Sequence, residues 1–454
     1  MPREIDASPS PASLLATLSR VGYSFFTAAG DILDNSIAAG AQRVDFQLLR
    51  YKDNYRLTIC DDGSGMSEEE LIENMVVGCK DPSQERGIND LGRFGAGLKS
   101  ASFSQAHVLT VFSWKSLQEV SAARWDTRLV RANNRWSLLH LSDEEVEDEL
   151  KTYDVSRKTS GTLVSWEKIW HLDEIEDPDS AELFVGNLLT ELHQYIGKHF
   201  HRFLSAKFEV FINSRPVRSI DPFMRKEPGY AEGHYEALLS KKGKVEIQAH
   251  TLPRPSTLSH EILELHGGAK EITQSQGLYL YRNKRLISGG GWLGVARSSE
   301  LHNLARIQID INSNMDEEWQ TDVKKSQLSV PRKVRQVLKR ISPSPIATSR
   351  KSHRYAGKTE EASPLWLVRK NEREGEESVT YLADTNNLEL SKVLDGLTEK
   401  KRATVMDYLR RLSEELPVKH IYQAFAHNPR GVQLKQNIED EMTELLRTMK
   451  EAGN

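Results

Sequence analysis

Three short segments hold residues whose types and spacing could do chemistry: Asp31-Ile32-Leu33-Asp34-Asn35-Ser36, Asp61-Asp62-Gly63-Ser64-Gly65-Met66, and Leu91-Gly92-Arg93-Phe94-Gly95-Ala96-Gly97-Leu98-Lys99-Ser100-Ala101. Asp31 and Asn35 are four positions apart, so on a helix they project from one face, one turn from each other. A carboxylate there can polarise a water. An amide oxygen one turn away can coordinate Mg²⁺ bridging phosphates, and phosphoryl transfer needs both positioning and charge neutralisation. Asp61 ends an apolar run and enters a turn whose glycines, Gly63 and Gly65, permit close backbone approach by a ligand. A carboxylate in that place can accept from the amino group of adenine, which guanine does not present, so ATP is the expected nucleotide. Gly92, Gly95 and Gly97 follow a polar, turn-rich stretch at 81–90 and suit a mobile lid whose free amides hold phosphates.

Two rival phosphate loops fit less well. The order G-x-x-G-x-G reverses the Rossmann order. The Walker A pattern is missed by one residue, because Leu98 stands where lysine should be and Lys99 follows it. Lys99 and Ser100 therefore read as the start of a helix whose N-terminal amides bind the anion. Asp62 reads as structural.

In this order and spacing the segments resemble the GHKL ATPases, the superfamily of the gyrase B subunit, MutL, the MORC proteins and the sensor histidine kinases. Gly22-Tyr23-Ser24 ahead of an Asp-type motif is similar to a bacterial group within it. The resemblance covers residues 12 to about 341. It implies an α+β fold: a Bergerat α/β sandwich, a ribosomal-protein-like transducer domain with a left-handed βαβ crossover, and a small, mainly helical C-terminal region. It makes Asp31 the general base and Asn35 the metal ligand. Asp61, Gly63, Gly65 and Met66 would form the base pocket, with Thr162 of Ser160-Gly161-Thr162 beside it. Gly92, Arg93, Phe94, Gly95, Ala96, Gly97, Leu98, Lys99 and Ser100 would surround the phosphates. Lys324, or Lys325 next to it, falls where the transducer sends a lysine to the terminal phosphate. The chain departs from the family pattern at Asp31, where glutamate is usual. The acid is shorter by one methylene, so the attacking water must sit closer or the helix must shift.

The elements that must position these residues are legible as patterns. Apolar residues recur at helical intervals over 12–39, strands alternate at 44–48 and 55–59, and Ser67 with the acids after it looks like a helix cap. Further strands are predicted at 108–114, 124–130, 136–141 and 161–166, and a helix at 191–204. A strand at 207–213 opens the next domain, followed by strands at 245–251, 277–281 and 305–310, a hairpin turn at Asn283-Lys284 and a helix at 331–341. The expected domains are 1–204, 205–341, a linker at 342–362 and an interaction or dimerisation region at 363–454 with helices at 390–397, 400–412 and 432–449.

Composition limits the class. With 454 residues, 38% hydrophobic and 28% charged, the chain reads as a multidomain soluble protein. It has no membrane-length apolar run and no signal-peptide core. Two cysteines, Cys60 and Cys79, make neither a disulfide framework nor a zinc site, so a cytoplasmic home is expected. A net charge of −4 means that any nucleic-acid contact must come from local basic clusters, such as 198–202, 332–340 and 350–354. The expected function is Mg-dependent ATP binding and hydrolysis driving a nucleotide-dependent homodimer clamp, in DNA transactions or bacterial anti-phage defence. DNA and the proteins of a defence or restriction system are the candidate partners. The competing reading is a nucleotide-gated scaffold with negligible turnover that recruits partner proteins.

Overall fold

Serine caps start the first helices. In the computed structural model, which describes residues 9–20, 22–52, 54–77, 97–153, 157–240, 242–319, 330–353, 366–373, 376–383 and 388–415, Ser10 caps α1 (Pro11–Leu18). Ser24 and Thr27 cap α2 (Phe25–Ala38) reciprocally, each side chain bonding the other's backbone amide. A hairpin of β1 (Arg43–Tyr51) and β2 (Asn54–Asp61) follows. α3 (Glu68–Met75) begins at the expected Ser67 cap, closed by Glu70. α4 (Gly97–Gln105) runs into β3 (Ala106–Ser116), which pairs with β4 (Glu119–Asp126).

The strand predicted over 124–130 stops early. Asp126 accepts from the amides of Arg128 and Leu129 at 2.8 and 3.4 Å and so begins α5 (Thr127–Asn133). Of the strand expected at 136–141, only β5 (Leu139–His140) pairs. Next come α6 (Asp143–Leu150), β6 (Gly161–Ile169), α7 (Trp170–Asp173), α8 (Pro178–His199) and α9 (His201–Leu204). The strand expected at 207–213 to open another domain is β7 (Glu209–Ile212), followed by the short β8 (Arg215–Pro216). Instead β7 fills the free edge of β1 in parallel, from Arg43 opposite Glu209 to Phe46 opposite Ile212. The first sheet is thus eight-stranded, in the order β5-β4-β3-β6-β2-β1-β7-β8.

Alternation along these strands builds a core on each face. Val111, Val164 and Trp166 pack with Ala29, Ile32 and Leu33 of α2 and with Leu192 and Ile196 of α8. Phe112, Trp114 and Leu163 point the other way, toward Val146 of α6.

The second sheet comprises β9 (Ala231–Ser240), β10 (Gly243–Thr251), β11 (Gly277–Arg282), β12 (Arg285–Gly289) and β13 (Ala305–Ile311), ordered β12-β11-β13-β10-β9 with β11 and β13 parallel. α10 (His260–Leu265) and α11 (Gly268–Gln274) precede β11; α12 (Asp316–Trp319), α13 (Arg332–Ile341) and α14 (Pro343–His353) follow β13. α14 stands where a linker was expected. Leu278 and Leu280 pack on Val334 and Leu338 of α13, while Tyr279 and Tyr281 face Phe223. Both sheets lie in one contact unit, 1–253 with 257–347.

The other unit consists of 254–256 and 348–454. Among its described residues, β14 (Trp366–Arg373) and β15 (Glu376–Ala383) form an antiparallel hairpin that the sequence pattern did not announce, ahead of α15 (Leu388–Asp395) and α16 (Glu399–Glu414). The helix predicted at 432–449 lies outside the described residues. No described helix is long and apolar enough to cross a membrane.

Polar and aromatic contacts join the two sheets. The His201 ring nitrogen meets the Tyr281 hydroxyl at 2.9 Å, and Arg202 stacks over the same ring at 3.6 Å while pairing with Asp310. His250 bonds the Tyr230 hydroxyl at 2.8 Å and stacks on Phe223. Burial keeps both histidines neutral, driving the His250 pKa down to about 3 and lowering that of His201 likewise. An unfolded histidine titrates near 6.5, so below that pH the unfolded chain binds more protons and stability falls as pH drops. Urea unfolding between pH 7 and pH 5 should therefore lose about 1–2 kcal/mol for His250, and His250→Phe should flatten the slope. An unchanged slope in the variant would place the acid sensitivity elsewhere.

Candidate functional site

α2 presents three polar side chains at three depths. The helix buries Ala28, Ala29, Ile32 and Leu33, leaving Asn35 exposed, Asp31 partly exposed and Asp34 buried. The exposed Asn35 amide, one turn from Asp31, fits Mg²⁺: the ion takes one or two protein ligands and completes its octahedron with phosphate and water.

Asp61 lies at the end of β2, 8% exposed. Its Oδ1 accepts from the amides of Gly63 at 2.9 Å and Thr162 at 3.2 Å, and its Oδ2 accepts from the Ser36 hydroxyl at 2.8 Å. Burial raises its pKa, and those three hydrogen bonds oppose the rise. Thr162 in turn lies 3.0 Å from the Ser113 hydroxyl, which accepts from the Met66 amide at 2.9 Å. Gly65 holds φ +64°, and a Cβ there would run into the Trp114 carbonyl, so the turn requires glycine. Asp62 has the structural place expected of it, accepting from the amides of Gln42 and Arg43 at 2.8 Å.

At the start of α4, Gly97 has open space at its Cβ position and Leu98 packs against the first core. Lys99 is 1% exposed, and its ammonium donates to the carbonyls of Asn74 at 2.6 Å and Val76 at 2.8 Å, where α3 ends. Ser100 hydrogen-bonds the Tyr23 hydroxyl, which also bonds Asp31. Burial, then Asp31, push the Tyr23 pKa up. Gly92, Arg93, Phe94, Gly95, Ala96, Lys324 and Lys325 lie outside the described residues, as does Cys79.

The structure adds a residue that the sequence reading missed. Arg285, the first residue of β12, reaches 3.2 Å from Asp31 Oδ1 and forms an ion pair with Asp34. Its other nitrogen lies 3.4 Å from the Tyr195 hydroxyl, and Phe200 stacks 5.0 Å away. Gly30 makes the approach possible: a Cβ there would stand 2.9 Å from the guanidinium. The available signal was one arginine following a turn in a largely apolar strand.

Residues 23–162 match the family model described as histidine kinase-, DNA gyrase B-, and HSP90-like ATPase. No curated protein matches the chain significantly. The match takes in α2, Asp61 and Thr162 and supports a GHKL-type ATPase domain, a class that binds and hydrolyses ATP, usually with Mg²⁺.

Asp61→Asn tests whether this carboxylate recognises adenine. The amide oxygen can keep the bonds from Gly63 and Thr162, and the Ser36 hydroxyl can turn to accept, so the fold should survive. An NH₂ group facing adenine's own amino group should cost about tenfold in ATP affinity and erase the preference over GTP. Calorimetry with both nucleotides decides it; an undiminished preference would remove Asp61 from base recognition.

Proposed function

We propose that this chain is a Mg-dependent ATPase that binds adenine at Asp61, with Thr162, Gly63, Gly65 and Met66 around the base, and uses Asp31 to activate the attacking water. The observation that supports the reading best is Asp61 itself. A carboxylate is held nearly buried by three donors at the foot of a glycine turn, beside the helix that carries Asp31 and Asn35. Asn35 would hold Mg²⁺, which when bound supplies charge neutralisation at the phosphates. Asp31 would accept the proton of the water, and the α4 amides from Gly97 to Ser100 would bind the phosphates; the family pattern adds the glycine segment 92–96 to them.

The family pattern also suggests closure. A lysine at 324 or 325 would reach the terminal phosphate only with lid and second sheet closed, and closure would reshape the surface on which two copies meet. Resemblance to MutL and MORC proteins supports a setting in DNA transactions, of a defence or restriction kind; ATP turnover with and without DNA tests it.

Asp31→Asn should retain Mg-ATP binding within about threefold and lower turnover at least about 100-fold, because it removes the base and leaves the amide ligand in place. Turnover within a few fold of wild type would mean that another group activates the water. If the wild-type chain itself binds ATP without measurable turnover, the scaffold reading takes its place.

A second measurement addresses the clamp. Light scattering with a non-hydrolysable ATP analogue should show the mass doubling for wild type and staying monomeric for Lys324→Ala with Lys325→Ala, while ADP binding survives in both. Unchanged mass in wild type across a wide concentration range rejects the clamp.

A further inference from the structure

We propose that Arg285 is a positioning residue for the base: the second sheet supplies the group that fixes Asp31, so the site on the first sheet is complete only while β12 sits against α2. The inference rests on Asp31 being the base, as proposed above. Asp34, the more deeply buried acid, already pairs with Arg285, and one carboxylate suffices to neutralise one guanidinium. Arg285 nevertheless extends to Asp31 Oδ1 at 3.2 Å, an acid whose side chain is 21% exposed and needs no buried partner. Neutralising Asp34 does not explain that second contact; orienting Asp31 does.

The geometry suits orientation. Asp31 is gripped by Arg285 from the second sheet and by the Tyr23 hydroxyl from the segment ahead of α2. Two directional partners remove rotamer freedom from a short side chain and leave its remaining lone pairs aimed one way. A base must lie within about 3 Å of the proton it takes, and a misplacement near 1 Å costs on the order of 100-fold. Arginine is the side chain for the task, because Nη1 meets both carboxylates while Nη2 is held at Tyr195, so the planar group has one orientation where an ammonium would act as a freely rotating point charge. Tyr195 and Phe200 line the guanidinium, and Gly30 leaves room for it.

The experiment compares single-turnover hydrolysis, steady-state KM and thermal unfolding for wild type, Arg285→Lys, and the double variant Asp34→Asn with Arg285→Gln. Lysine keeps the buried charge opposite Asp34, and the double variant removes both buried charges, so neither strands an ion. Both should lower kcat by about 10- to 100-fold with KM and analogue affinity within about threefold, the lysine less than the double variant. A folded variant with kcat within threefold of wild type overturns the inference. So does a raised kcat, which would make Arg285 a mask on Asp31, and so does a change confined to KM. Wild type without hydrolysis, or an Asp31→Asn variant as active as wild type, sinks the base reading and this inference with it. When wild type is active and Asp31→Asn is not, the Arg285 variants decide the inference alone.

Discussion

The ion triad of Arg285, Asp31 and Asp34 constrains everything around it. A fully buried guanidinium is tolerable only with close carboxylates, since the desolvation cost of an unpaired buried charge runs to several kcal/mol. Here the carboxylates come from α2 and the guanidinium from β12, 254 residues farther along the chain. The helix has a glycine at position 30 because the guanidinium passes there, and Tyr195 of α8 closes the same space. Burial lowers the Arg285 pKa and Asp31 opposes that shift. The pairing has a directional consequence as well, because β12 cannot slide along α2 without stranding three charges together.

Asp61 follows a different economy. Its charge is offset by neutral donors, two backbone amides and one hydroxyl, each fixed by the local chain. Ser36 is one residue past Asn35, so the helix that carries the amide proposed to hold the metal also orients the carboxylate at the end of β2. Gly65 and Thr162 are tied to the same point through Ser113, which receives the Met66 amide and meets Thr162. A shift of α2 toward phosphates would therefore be felt at Asp61 through one hydrogen bond, without any change in the sheet.

Local patterns were legible where local physics decides. α2 follows from its apolar period and the Ser24 cap, and the β1–β2 hairpin from alternation. The β11–β12 turn follows from Asn283 and Lys284, both of which hold positive φ as a tight hairpin requires. The misses share a cause, which is that a distant partner or a single side chain settled the matter. β7 reads as a strand from its own sequence, but only the open edge of β1 assigns it to the first sheet. Asp126 converts the end of a β-rich stretch into a helix by capping two amides. Lys99 is a different case: it stands in the first turn of α4, where a helix start was expected, and what its sequence position could not tell is that its ammonium is held by carbonyls at the end of α3. Arg285 offered only the weak signal of an arginine after a turn, since nothing within β12 announces two acids on a helix about 250 residues earlier in the chain.

Several of the contacts between the sheets among the described residues are of the directional kind: Arg202 with Asp310 and over Tyr281, His201 with Tyr281, Arg285 with Asp31 and Asp34. An apolar interface loses free energy gradually as area is uncovered, whereas paired charges and short hydrogen bonds lose it within about an ångström of displacement. Contacts of that kind favour discrete arrangements over continuous sliding. Because one of their members is the acid proposed to activate water, the register of the second sheet and the orientation of that acid are a single variable. On the proposed roles of Asp31 and Arg285, a movement of β12 would act on the chemistry without touching the nucleotide.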